Sequence, residues 1–323
     1  MLRSLSKFLP SNFTLALLVT VLLATLLPTS GRGAAMFNDA TVLAIGLLFF
    51  MHGAKLPRET LIAGLKHWRL HLTVLSFTYV LFPLLGWVLK PIFLPFVTPD
   101  LYIGILFLCV LPSTVQSSIA FTSIARGNVS AAVCGATASN LLGVFITPVL
   151  VGLLVVSHDG GGSWDSVLRI SCQLLLPFIA GQLARHWIGA WVQRHAKVLS
   201  MVDQGSILLV VYTAFSEAII EGLWTRMSFA TMLSLTLICC VLLGIVLFLT
   251  KFVSRKLGFN KADEITIIFC GSKKSLSSGV AMAKVLFASS MVGSIVLPLM
   301  LFHQIQLMVC AVLAERFAKR TED

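Results

Sequence analysis

Ten apolar stretches, separated by short clusters of charge, run almost end to end through this chain of 323 residues: 12–29, 37–54, 70–89, 100–125, 129–156, 167–186, 204–223, 228–250, 264–288 and 291–314. A bilayer core about 30 Å thick takes roughly 20 apolar residues as one helix. In hydrocarbon the backbone must satisfy its own hydrogen bonds, which a helix does. The pattern predicts an all-α polytopic membrane protein of ten transmembrane helices, in a single domain over 1–323 with no separate soluble part. Only 11% of the residues are charged, against about 25% in a soluble domain. So little charge cannot cover a globule of this size in water. A soluble enzyme and a nucleic-acid-binding domain are excluded, although the formal net charge is +11.

The basic surplus has a positional meaning instead. With the N-terminus in the cytoplasm, the loops on that side hold seventeen of the lysines and arginines. The other side holds five: Arg32, Lys90, Arg169, Arg226 and Lys284. Positive charge stays cytoplasmic, so both termini are expected there, in a cell inner (plasma) membrane. The first thirty residues, with Arg3, Lys7, an apolar run from Phe13 to Leu27 and Gly33-Ala34-Ala35, also have the outline of a signal peptide. That run is long for a signal, and losing it would leave nine spans and one helix without a counterpart.

All seven cysteines lie in apolar stretches and none forms a C-x-x-C pair, so buried packing residues are expected rather than a metal site or a disulfide framework. No nucleophile–base arrangement or acidic metal motif is present. The chain is not expected to be an enzyme.

Two spans depart from smooth apolar helix. The fourth carries Pro112-Ser113-Thr114-Val115-Gln116-Ser117-Ser118 near its middle. A proline there removes a backbone donor and clashes with the preceding turn. The ninth carries Gly271-Ser272-Lys273-Lys274-Ser275-Leu276-Ser277-Ser278-Gly279. A lysine at the centre of a span costs roughly 2.5–3.5 kcal/mol, so a pair needs a cavity or partners; snorkelling could relieve one of them near a helix end. The fourth and ninth of ten spans hold equivalent places in two halves of five, about 12–156 and 167–314. Five is odd, so the halves enter the membrane from opposite sides. Paired interrupted spans in an inverted repeat point to a transporter's binding site at the midplane.

Further polar residues lie nearby in sequence or in equivalent spans. Thr137, Ser139 and Asn140 sit in the fifth span, and His303, Gln304 and Gln306 in the tenth; interhelical hydrogen bonding is the alternative role for both groups. Glu217 is the one acid well inside an apolar run, while Asp203, Glu221, Asp263 and Glu264 lie nearer span ends. Glu217 is expected either to compensate Lys273 or Lys274, or to sit in the outer interfacial layer and touch neither.

These features resemble the bile acid:sodium symporter superfamily. The resemblance is carried by the Pro-interrupted fourth span, Ala125-Arg126-Gly127-Asn128 leading to Ile146-Thr147-Pro148, and Ser278-Gly279-Val280-Ala281 in the ninth. Gly53-Ala54-Lys55-Leu56 and the Gly271–Ser275 run resemble its solute carrier 10A7-like branch. The resemblance implies a panel domain of spans 1, 2, 6 and 7, and a core domain of spans 3–5 and 8–10 in which broken helices 4 and 9 cross. It implies organic anions bound between the domains and sodium behind the crossing. Ser117 and Ser118 match the sodium ligands of the fourth span, and Thr137, Ser139 and Asn140 fall near those of the fifth. The sodium-binding glutamate falls at about Ser272, beside two lysines that a sodium ion would avoid.

The expected function is secondary active transport, solute:sodium symporter-like, of a small or amphipathic organic anion by alternating access. Candidate binding residues are Thr114, Gln116, Ser117, Ser118, Thr137, Ser139, Asn140, Ser272, Lys273, Lys274, Ser277 and Ser278, with Glu217 as charge partner. Lysine either faces an anionic substrate or replaces the cation, in which case sodium coupling is lost or protons take its place. A non-transporting regulator of ion homeostasis on the same fold is the other alternative. No cofactor beyond a sodium ion, no nucleic acid and no obligate protein partner are expected; the partners are the anion and membrane lipid.

Overall fold

The computed structural model describes residues 12–55, 67–154, 164–220, 222 and 228–320, with backbone alone at 12, 14 and 164–174. Arg3, Lys7, Arg58, Lys66, Glu221 and Arg226 of the sequence reading lie outside these, as does the side chain of Arg169.

The described residues are helical with no strand, so the chain is an all-α, multi-pass membrane protein. The helices are α1 (Asn12–Leu26), α2 (Gly31–Lys55) and α3 (Trp68–Val88). The fourth apolar stretch is two helices, α4 (Pro99–Val110) and α5 (Gln116–Ile124), followed by α6 (Val129–Leu154), α7 (Trp164–Arg194) and α8 (Ala196–Ile220). Then come α9 (Phe229–Lys256), α10 (Lys261–Gly271), α11 (Leu276–Leu286) and α12 (Ser289–Ala318). Among the described residues six helices, α2, α3, α6, α8, α9 and α12, are long and apolar enough to cross a membrane. The ninth apolar stretch, like the fourth, is split in two. Both predicted interruptions are therefore real breaks.

Local chemistry sets the helix ends. Thr98 caps α4 by accepting the Leu101 N–H at 3.4 Å, with Pro99 in the first turn. Asn260 caps α10 through the Asp263 N–H at 2.8 Å. Ser275 caps α11 through the Ser278 N–H at 3.3 Å. Asp263 and Glu264 add negative charge at the positive end of α10.

Side-chain packing between helices, rather than escape from water, holds such a bundle together. Ile105, Phe107 and Leu108 of α4 are buried with Leu242 and Val246 of α9 and Ile295, Leu299 and Phe302 of α12. Leu18, Leu22, Leu43, Val80, Leu183 and Leu237 point outward and are exposed, as lipid-facing residues are. Helices α2 and α7 touch backbone to backbone. A Cβ on Gly53 would lie 2.1 Å from the Phe178 carbonyl oxygen, and one on Gly181 would lie 1.9 Å from that of Phe50. Only glycine fits at either point. Of the described cysteines, Cys109, Cys239, Cys270 and Cys310 are buried free thiols as expected, Cys134 is half-buried and Cys240 is exposed; the side chain of Cys172 lies outside the described residues.

Candidate functional site

A helix that stops inside the bilayer leaves carbonyls without their i+4 partners, and each needs another donor. After Val110 the chain leaves helical geometry, with Leu111 extended at φ −73°, ψ 154°. The five carbonyls from Cys109 to Ser113 then find donors in turn. Lys274 Nζ donates to Cys109 O and Leu111 O, both at 2.8 Å. Thr147 Oγ1 donates to Val110 O at 2.9 Å. Pro112 O accepts the Ser275 N–H at 2.9 Å, and Ser113 O accepts from Asn140 Nδ2 at 2.9 Å.

The ninth-span break is met in kind. Ser113 Oγ donates to Cys270 O at 2.6 Å and Ser118 Oγ to Phe269 O at 3.1 Å. Gln306 clamps the Lys274 peptide, accepting its N–H and donating to its carbonyl, both at 3.0 Å. The two interruptions thus complete each other's hydrogen bonding, which is why neither span can be regular alone.

A third acceptor for Lys274 comes from α3. Residues Phe77–Leu81 form a π-helical turn in which the Phe82 N–H reaches back to Phe77 O. In that register the partner of Thr78 O would be the nitrogen of Pro83, which carries no hydrogen. Lys274 Nζ takes the vacated oxygen at 2.9 Å. The ammonium also stands 4.1 Å from the centre of the Phe82 ring. Lys273 turns the other way. Its Nζ donates to Ser117 O at 2.9 Å and stands 3.8 Å from the centre of the Phe121 ring. Both lysines are fully buried. A hydrogen bond to a charged group contributes about 1.5–3 kcal/mol, so the three of Lys274, and the one of Lys273 together with its aromatic contacts, offset the roughly 2.5–3.5 kcal/mol of a central lysine.

In front of the crossing lies a cavity of about 920 Å³, within the range that holds a drug-sized ligand. Its apolar wall includes Phe49 on α2, Phe178 on α7, Ile207 on α8 and Met282 on α11. Its polar wall is made by the first turns of α5 and α11, Gln116 and Ser117 with Ser277 and Ser278, together with Thr114, Thr137 and Asn140. The positive ends of two half-helices therefore meet the cavity. The cavity reaches His52 and Lys55 at the end of α2 and Ser200 and Asp203 near the start of α8. Lys55 and Asp203 are paired with each other there.

Among the described residues, none that lines this cavity lies at the opposite ends of α2, α8 or α11. Instead Lys284 of α11 donates to Glu217 of α8 at 2.8 Å and to Ser289 at 3.0 Å. Glu217 is therefore not the partner of Lys273 or Lys274, as one of the two sequence expectations had it. It stands nearer the far ends of the helices, tied to the lysine that the charge count placed on the outer side.

Of the other expected residues, Thr114, Gln116, Ser117, Thr137, Asn140, Ser277 and Ser278 line the cavity. Ser118, Ser139, Ser272, Lys273 and Lys274 lie behind it, fully buried. Their hydroxyls are already engaged: Ser139 Oγ accepts the Ser113 N–H at 3.1 Å and Ser272 Oγ donates to Ile268 O at 2.6 Å. Asn140 Oδ1 accepts from Ser278 Oγ at 2.8 Å. Among the described residues no cluster of His, Cys, Asp or Glu could hold a metal ion. Sequence reasoning missed Thr78, whose signal was Pro83, and the apolar lining residues Phe13, Phe49, Phe178 and Ile207 of α1, α2, α7 and α8, which carry no polar signal in the sequence.

Residues 11–319 match the model of the SBF-like CPA transporter family. The chain is 64% identical to an uncharacterized protein of Pseudomonas aeruginosa, over 98% of this chain and 96% of that one. It is 57% identical to the protein named "Putative symporter YfeH" of Escherichia coli, over 96% and 93%. It is 29% identical to sodium/bile acid cotransporter 7 of Rattus norvegicus, over 97% and 94%.

Proposed function

This chain belongs to the SBF-like CPA transporter family, a family of transporters rather than enzymes, and from that premise we propose that it moves a small or amphipathic organic anion by alternating access. The observation that carries the reading is the sorting of charge at the crossing. The positive ends of α5 and α11 meet the cavity, while the two ammonium groups lie behind it on carbonyl oxygens. A cavity with an apolar wall and a donor-rich wall suits an amphipathic solute with an anionic end. Thr114, Gln116, Ser117, Thr137, Asn140, Ser277 and Ser278 bind the solute in this reading, and the lysines organise the crossing without touching it.

The two breaks hold equivalent places in halves of five spans, about 12–156 and 167–314, which favours ten spans in an inverted repeat. The backbone contact between α2 and α7 favours a panel that moves as one body against a core. The cavity extends to the Lys55 and Asp203 end, and in this reading the Glu217–Lys284 pair holds the other end shut. With the positive side of the charge count in the cytoplasm of an inner membrane, this is an inward-facing state.

The test is counterflow in proteoliposomes loaded with unlabelled organic anions, cholate among them. Wild type is expected to accumulate labelled cholate or another amphipathic anion against the unlabelled pool. Exchange of no anion in the panel would overturn the reading in favour of a regulator that moves nothing.

A further inference from the structure

Three carbonyl oxygens converging within one buried pocket are what a small monovalent cation needs. Here Thr78 O, Cys109 O and Leu111 O converge on a single point from two different spans. None of the three has a helical partner available: the first faces Pro83, and the other two belong to the broken end of α4. The point they share is held by Lys274 Nζ, at 2.9, 2.8 and 2.8 Å. We propose that the Lys274 ammonium is a built-in cation, so that this protein transports without a sodium ion at the crossing.

Three physical facts make the occupation permanent. The lysine is fully buried, and its main chain is fixed on both sides by Gln306. Its stem would have to leave a packed core before an ion could enter. A small cation beside an ammonium is also repelled. Two like charges a few ångströms apart oppose each other strongly in a buried site, where water screens them little. Lys273 adds a second positive charge on the other side of the same break, held by Ser117 O and two aromatic rings. Finally, two oxygens that could help complete a sodium shell nearby already accept protein hydrogen bonds, Ser139 Oγ from the Ser113 N–H and Asn140 Oδ1 from Ser278 Oγ, so an ion would compete with those donors. Unlike a bound ion, a tethered one neither leaves with the solute nor follows a gradient. The inference rests on the transport reading for its consequence, and on the carbonyl socket alone for its structure.

Thermal unfolding of the purified full-length protein in detergent tests it, with NaCl exchanged for KCl or choline chloride at equal ionic strength. Wild type is expected to unfold at the same temperature in all three salts. K274A is expected to unfold lower and to recover part of the loss in sodium alone, because the truncated side chain leaves a hole with three free carbonyls. K274M fills that hole with an uncharged stem, so it is expected to be destabilised and indifferent to the salt. A sodium-specific rise in wild type, or a K274A protein as stable as wild type, would overturn the proposal. The measurement needs no solute. A protein that behaves as expected here yet exchanges no anion in vesicles fails the transport reading alone.

Discussion

The break after Val110 and the break after Gly271 interrupt equivalent spans, but they draw on opposite halves of the hydrogen-bonding inventory. The first releases a run of acceptors, the carbonyls from Cys109 to Ser113, and adds the hydroxyls of Ser113 and Ser118. The second supplies donors, above all the two ammonium groups. A break filled only with hydroxyls can be satisfied by neutral neighbours. A break that carries charge must meet an excess of acceptors, and the negative end of a half-helix together with a π-turn ahead of a proline provides them. The two lysines sharpen the contrast. They are adjacent in sequence and equally buried, yet Lys274 is held by three carbonyls and Lys273 by one carbonyl and aromatic faces.

That difference sets the order of expected losses. Replacing Lys274 by Met keeps the stem but strands three buried acceptors, each worth about 1–3 kcal/mol when left unsatisfied. The destabilisation should reach about 3–9 kcal/mol, read as a fall in the unfolding midpoint or as lost folded yield. Replacing Lys273 by Met strands one carbonyl and removes a cation–π contact of about 2 kcal/mol in a desolvated site. It should cost less, about 3–5 kcal/mol. Equal losses would mean that the two ammonium groups are held alike, and the comparison would fail.

Glu217 gives the smallest effect on stability. The Glu217 side chain is partly open at 27% exposure while that of Lys284 is buried; Lys284 keeps its bond to Ser289 and glutamine still offers it an acceptor, so the loss is that of the partly open charge, about 0.2–1 kcal/mol. Glu217→Gln should therefore leave the midpoint nearly unchanged. It should also raise the labelling of a cysteine placed at Ala218 by a membrane-impermeant reagent added from outside, as the closed end loosens. An unchanged labelling rate would show that the ion pair is not what holds that end shut.

Much of this was legible in the sequence, and the reasons are particular. Apolar length and the alternation of basic loops locate the helices because the bilayer imposes one thickness on all of them. Pro112 and Gly271 mark the breaks because each residue fails at something a helix requires. The partners were not legible, since they depend on where one span passes another. Thr78 joins the Lys274 socket because a π-turn shifts its register by one residue, and Pro83 signals that only once the crossing is seen. Glu217 and Lys284 are 67 residues apart, and nothing in either segment names the other. The lining of the cavity by Phe49, Phe178 and Ile207 was equally hidden, because an apolar residue facing a cavity and one facing lipid look the same in a sequence.

The measurement that bears most directly on the central claim is the initial rate of anion counterflow by wild-type protein in matched vesicles, with all sodium replaced by choline on both sides. A crossing that carries its own positive charge predicts the same rate with and without sodium. A rate that collapses when sodium is withdrawn would contradict it, because an ion would then be doing what Lys274 is said to do.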